Sequence, residues 1–191
     1  MLLCLLAAPA LGHMPIPPKK GEIGRKGNHA LVPEFTLLDQ DGKPFRIASA
    51  RGKIVLVTFV FTTCPDVCSL LTAKFAAIQR ALDKKKVNDY LLLSITTDPD
   101  RDTPGALKSY AQAFKPDFDH WRFLTGSEID LAKVWKSFDV TVRKSAGQVQ
   151  HTALTTLIDR RGIRRVDYYT DKWEEKEVLR DIAGLDSPSY Q

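Results

Sequence analysis

A three-layer α/β fold, with a mixed central sheet, helices on both faces and an N-terminal β-hairpin, follows from three observations. Ile54–Phe61 (IVLVTFVF) and Tyr90–Thr97 (YLLLSITT) are nearly continuous apolar or β-branched runs, as expected of strands buried on both faces. Between them, apolar residues fall at 67, 70, 71, 75, 78 and 82, a helical spacing. Near the end, Thr152–Ile158 and Ile163–Tyr169 flank Asp159-Arg160-Arg161-Gly162, a turn that returns the chain antiparallel. Strands alternating with helices and closed by a hairpin give a mixed sheet covered on both sides.

The remaining elements follow in order. Glu34–Leu38 reads as a strand, Asp39-Gln40-Asp41-Gly42-Lys43 as a turn, and Phe45–Ile47 as its return partner. After the second buried strand, Thr103 is placed to cap a helix with Pro104 at its first position, running to about Phe114. Trp121–Leu124 is a short strand. Ser127 followed by Asp130 opens a further helix to about Phe138 in the manner of a capping box. Trp173–Ala183 is a closing helix, with Gly184 as its stop. Trp121, Trp135 and Trp173 have no polar cluster in their neighbourhood and read as packing residues.

The 191 residues suit one domain with tails, and 43% apolar against 27% charged residues is ordinary globular composition. Lys+Arg exceed Asp+Glu by 28 to 23, a net +5. Residues 1–30 hold Lys19, Lys20, Arg25 and Lys26 against Glu22, so +3 of it lies there. The runs Lys84–Lys86 and Arg160–Arg165 fall at predicted turns and read as solvated charge. A nucleic-acid partner is not expected, because no broad basic face with interleaved reading groups exists.

Leu2–Leu11 is a short apolar run followed by small residues, and matches a signal peptide rather than a bilayer span. Residues 1–12 are therefore expected to direct export and to take Cys4 with them. Residues 13–32, rich in Pro, Gly and Lys, read as a flexible tether. The folded domain is expected over 33–186, with a tail at 187–191.

Three cysteines exclude a disulfide scaffold, and export would leave Cys64 and Cys68. They stand in Thr63-Cys64-Pro65-Asp66-Val67-Cys68, between a buried strand and a helix. With Cys64 as N-cap, Pro65 takes the first helical position and Cys68 lies one turn further on the same face. The positive helix terminus favours thiolates and Asp66 opposes it. Three readings of the pair remain open: a structural disulfide, an exchanging redox dithiol, or a metal site with a distant ligand. Two thiolates with an imidazole suit copper, Cu(I) above all, and also zinc.

Of four histidines, His13 and His29 fall in the signal or tether, and His120 reads as a solvated loop residue. His151 stands directly before Thr152–Ile158, at the strand start that faces the cysteine turn in a thioredoxin-type sheet. Strand, turn, two cysteines and helix is the thioredoxin order. Thioredoxin-class oxidoreductases place a cis-proline before this strand, yet no proline occurs between Pro116 and Pro188, and His151 holds that place. The peroxiredoxin pattern is also absent, with Val57 and Phe61 at its Pro and Thr positions.

With these residues in view, the chain resembles the Sco/SenC family of copper chaperones for cytochrome c oxidase. The resemblance rests on Phe35-Thr36-Leu37, Asp41-Gly42-Lys43, Arg51-Gly52-Lys53, the Cys64–Cys68 segment, Asp98-Pro99-Asp100-Arg101-Asp102-Thr103-Pro104, and His151-Thr152. It covers about residues 33–172. It implies a thioredoxin-like fold and one copper, Cu(I) or Cu(II), held by Cys64, Cys68 and His151. It also implies delivery of that copper to the dinuclear centre of the oxidase, or reduction of the centre's thiols. A copper-accepting oxidase subunit is the implied partner, with another periplasmic copper chaperone or a thiol reductant beside it. The location implied is the periplasm or the outer face of the cytoplasmic membrane. Two positions depart from the pattern: Ser69 replaces the usual proline, and Gln150 the usual aspartate before the histidine. Asp98, Asp100, Arg101 and Asp102 are expected to hold their loop or meet a partner, and not to bind metal.

Overall fold

Ile54–Val60 is buried along its whole length, and so is Tyr90–Thr96. Side chains alternate across a pleated strand, so both runs feed two separate cores. Val55, Val57 and Phe59, with Leu91, Leu93 and Ile95, face one side. Ile54, Leu56, Tyr90 and Leu92 face the other. The computed structural model describes residues 24–65, 67–145 and 148–185. The signal-like segment 1–12, Cys4, His13, Asp66 and the tail 187–191 lie outside them.

The strands are β1 (Arg25–Gly27), β2 (Thr36–Leu38), β3 (Pro44–Arg46), β4 (Ile54–Val60), β5 (Tyr90–Thr96), β6 (Trp121–Leu124), β7 (Val142–Ser145), β8 (Gln148–His151), β9 (Leu154–Ile158) and β10 (Arg164–Tyr169). The helices are α1 (Val67–Lys84), α2 (Pro104–Gln112), α3 (Glu128–Ser137) and α4 (Glu175–Leu185), with a 3-10 turn at Ile47–Ala50. Six strands form the central sheet in the order β1-β10-β9-β4-β5-β6. β4, β5 and β6 run parallel, with Val57 beside Leu93 and Ser94 beside Phe123. β9 joins β4 antiparallel, β10 joins β9, and β1 joins β10. α1, α2 and α4 cover one face of the sheet. α3, the β2–β3 hairpin and the 3-10 turn cover the other. The sheet is mixed and flanked on both sides, as expected, and the three tryptophans are core residues.

The helix caps are those the sequence indicates. Thr103 Oγ1 accepts from the Ala106 N–H at 3.3 Å, with Pro104 next in line. Ser127 Oγ accepts from the Asp130 N–H at 3.1 Å and donates to its carboxylate at 2.6 Å. The two Asp-x-x-Gly turns share one construction. Asp39 Oδ1 accepts from the N–H groups of Asp41 and Lys43, and Asp159 Oδ1 from those of Arg161 and Ile163, all at 2.9 Å. Gly162 sits at φ +81°, and a Cβ there would lie 1.3 Å from Arg51 Nη1, which donates to the Arg161 carbonyl.

Burial pushes the Asp159 carboxyl up, but the Ile163 N–H and the Arg165 guanidinium outweigh it and hold the carboxyl below its usual range. A depressed carboxyl stabilises the fold above its unfolded value and loses that advantage as pH falls through its folded value. Asp159→Asn keeps an acceptor for the turn but loses the charge beside Arg165, 2.7 Å away. The expected loss is about 1.5 kcal/mol at pH 7, shrinking toward zero as pH drops below about 4. Urea unfolding at both pH values checks it; an equal gap at both would be contrary.

Several sequence expectations change. Residues 25–27, inside the expected tether, add β1 to the sheet through backbone pairing that needs no apolar side chains. The solvated-charge reading of Arg160–Arg165 fails at Arg164, 1% exposed and ion-paired to Asp167 and Asp139. α4 begins at Glu175, later than expected, and Gly184 lies inside it. The β7–β8 pair, not foreseen, forms a two-stranded ribbon outside the central sheet. His151 ends that ribbon, and the core strand after it begins at Leu154.

Candidate functional site

The parallel strands β4, β5 and β6 deliver their following loops to one end of the sheet. After β4 the chain turns through Thr62 and Thr63, and the Cys64 N–H bonds to the Phe61 carbonyl at 3.3 Å. α1 starts at Val67, so Cys64 lies in the turn and not at a cap with Pro65 as first helical residue. The turn hydrogen bond takes the Cys64 backbone out of the helical ladder. Cys68 is in the first helical turn and 1% exposed, while Cys64 is half-buried. Both are free thiols.

Cys64 packs against the buried cluster that holds Cys68. Interaction with the Cys64 sulfur, burial, and repulsion from negative charge there push the Cys68 thiol above its usual range. A backbone hydrogen bond from Phe61 opposes the rise without reversing it. Burial and the neighbouring sulfur thus work against the helix terminus at Cys68, and a metal that binds both sulfurs must displace their protons.

The Asp98–Asp102 loop after β5 anchors this turn. Asp102 is wholly buried. Its carboxylate accepts from the Thr62 N–H at 3.1 Å, from Thr62 Oγ1, and from Thr96 Oγ1 at 2.6 Å. Burial raises its pKa, and the threonine hydrogen bonds work against that rise. Asp98 is buried, pairs with Arg101, and receives the Asp102 N–H on its carbonyl. Tyr110 of α2 braces the other side. Its hydroxyl is 2.8 Å from Thr72 Oγ1, which donates to the Cys68 carbonyl, and burial pushes the phenol up to about 12. Sequence reasoning gave Asp102 no specific partner and passed over Tyr110; a helix face pointing toward the dithiol was its available signal.

His151 is 2% exposed and stands edge-on to Phe61, ring centroids 5.9 Å apart. Its Nδ1 lies 3.0 Å from the Thr152 carbonyl, an acceptor only. Nδ1 therefore donates, and in the neutral form of the ring the lone pair is on Nε2, the tautomer suited to metal ligation through Nε2. Val149, two residues earlier and on the same strand face, packs with Phe61 and Cys68 in one buried cluster that Cys64 and Val142 join. The structure thus brings Cys64 and Cys68 together and sets the His151 strand against them. Among the described residues no three His, Cys, Asp or Glu side chains stand close enough to hold a metal ion. His120 lies in a turn, as expected, but is half-buried: it stacks on Tyr90 at 4.8 Å and bonds to Asp117. His29 is exposed, beside Arg165.

A mixed sheet flanked by helices, with two cysteines at the strand-to-helix turn, defines the class: a thioredoxin-like fold. The SCO1/SenC family model matches residues 24–186. A SCO2-like protein of Rickettsia felis is 33% identical over 178 residues, 89% of this chain and 84% of its own. The structure of Bradyrhizobium japonicum ScoI with copper bound is 34% identical, with TM-score 0.70 over 81% of this chain and 99% of its own. BsSco, described with a disulfide switch and as a member of the Sco family of cytochrome c oxidase assembly proteins, is 31% identical, with TM-score 0.73 over 83% of this chain and 95% of its own. The chain belongs to the SCO1/SenC family.

Proposed function

We propose that this protein is an exported copper chaperone that carries one copper on Cys64, Cys68 and His151. It passes the metal to the copper-accepting subunit of a cytochrome c oxidase, at the dinuclear copper centre. The packing of Cys64 against the cluster that holds Cys68, in a turn fixed by Asp102, supports this most directly. Two thiolates favour Cu(I), and an imidazole adds tolerance for Cu(II). The imidazole arrives on a separate ribbon, so taking up a third ligand means closing ribbon and dithiol onto the metal. Copper bound to a relative with 34% identity fits this donor set. The apolar run at residues 2–11 supports export to the periplasm or the outer face of the cytoplasmic membrane. No helix among the described residues is long and apolar enough to cross a membrane.

Thiol–disulfide exchange on an oxidase subunit is the second reading, favoured by the same packing of the two cysteines. Against it, His151 stands where thioredoxin-class oxidoreductases place a proline before the strand. Anaerobic copper titration of the reduced protein separates the two. The expected result is one copper per chain, with the thiolate-to-Cu(II) absorption lost in His151→Ala while Cu(I) uptake persists. Absence of stoichiometric uptake would remove the chaperone reading. An unchanged Cu(II) band in His151→Ala would remove His151 from the site.

A further inference from the structure

The ribbon register places four side chains on one face. Val142 pairs with His151 and Lys144 with Val149, and directly opposed residues of an antiparallel pair share a side. Val149 and Val142 pack into the cluster that holds Cys64 and Cys68. Lys144 uses the same face differently. Its Nζ lies 2.8 Å from Asp100 Oδ2 in the loop after β5 and 3.0 Å from Glu128 Oε1 at the start of α3. The lysine side chain is 30% exposed, so part of its stem is packed against the body of the protein. One cation thus ties the ribbon to two elements at the dithiol end of the sheet. The alternate residues Arg143, Ser145 and Gln148 are exposed and Gln150 half-buried, so the opposite face faces solvent.

We infer that Lys144 is a positioning residue: its bridge to Asp100 and Glu128 seats the ribbon, so that Val149 shields Cys68 and His151 is held in reach of the dithiol. The copper part of this inference rests on the proposed function; the shielding part does not. Both partners of Lys144 are more than half exposed, so the bridge is weakened by salt, whereas the apolar contacts of Val149 are not.

The experiment uses the full chain, reduced and copper-free, with iodoacetamide as probe and the modified cysteine located by mass spectrometry. Lys144→Met is expected to speed alkylation of Cys68 about fivefold at low salt, the effect of losing two half-exposed ion pairs. Wild type should approach that rate at about 1 M salt, and Lys144→Arg should stay with wild type. Cu(II) affinity of Lys144→Met should fall by a similar factor, with Cu(I) affinity unchanged. Equal alkylation rates in wild type and Lys144→Met at low salt overturn the inference whether or not copper binds. Faster alkylation with unaltered Cu(II) affinity overturns the placement of His151. Faster alkylation in a chain that takes up no copper upholds the shielding role and refutes the proposed function instead.

Discussion

Arg164→Leu is expected to destabilise the protein by about 3–5 kcal/mol, because it breaks a buried ion pair from one side. The guanidinium is 1% exposed and donates to Asp167 at 2.8 Å, to Asp139 at 3.1 Å, and to the carbonyls of Ser137 and Phe138. It also lies over the Phe138 ring, 5.4 Å from its centroid. One side chain therefore joins β10 to the end of α3 and satisfies carbonyls that the helix itself leaves open. Leucine fills the space but leaves Asp167 charged and buried, with Thr156 and Asn28 as its remaining donors. Asp167→Asn in the Arg164→Leu background should recover part of the loss, since the stranded charge is gone. Arg164→Lys should fall between, because an ammonium cannot reach several acceptors through a planar fork. Urea unfolding measures all four proteins. A single-mutant loss under about 1 kcal/mol would show that the pair is not the constraint described.

Asp102→Ala is expected to cost about 2–4 kcal/mol and to lower copper affinity ten- to hundredfold. The stability loss follows from stranding three donors in a dry site: the Thr62 N–H and hydroxyl, and the Thr96 hydroxyl. The affinity loss follows from position. Thr62 is two residues before Cys64, so the carboxylate fixes the turn that presents the first sulfur. Asp102→Asn retains one acceptor oxygen and brings N–H groups toward donors, so it should lie between wild type and alanine. An alanine variant with the wild-type urea midpoint would refute the anchoring role. One that unfolds more easily but binds copper as tightly would separate the turn from the site.

These two buried carboxylate systems also mark where sequence reading stops. β4 and β5 were legible because a strand covered on both sides has no polar alternative, and Thr103-Pro104 and Ser127 were legible because caps are local chemistry. The place of Cys64 and Cys68 between strand and helix was legible for the same local reason, but the helix start was read at Pro65 and lies at Val67. Arg164 was misread because a charged residue in a basic run looks solvated until its partners, distant in sequence, are known. The β7–β8 ribbon was missed because one face is polar and the other holds Val142, Lys144, Val149 and His151, too short and mixed for periodicity to show. β1 was missed because Arg25, Lys26 and Gly27 enter the sheet through backbone groups alone. His151 was placed by topology before any contact was known. The structure puts it against Phe61 and two residues from Val149, which shares a buried cluster with Cys68.

The ribbon has its own hydrogen-bonded ladder and shares none with the six-stranded sheet. At its base it is held by the Thr141–Thr152 backbone bond and the Thr152 hydroxyl. Residues 142–151 can therefore change without altering any strand pairing on which the sheet depends. Under the proposed function, two ligands stand on the scaffold of the six-stranded sheet, while the third sits in a segment constrained by one packed face and the Lys144 bridge but not by sheet pairing. Such a division lets metal preference drift across generations through viable sequences, and gives an engineer one short stretch in which to rewrite it.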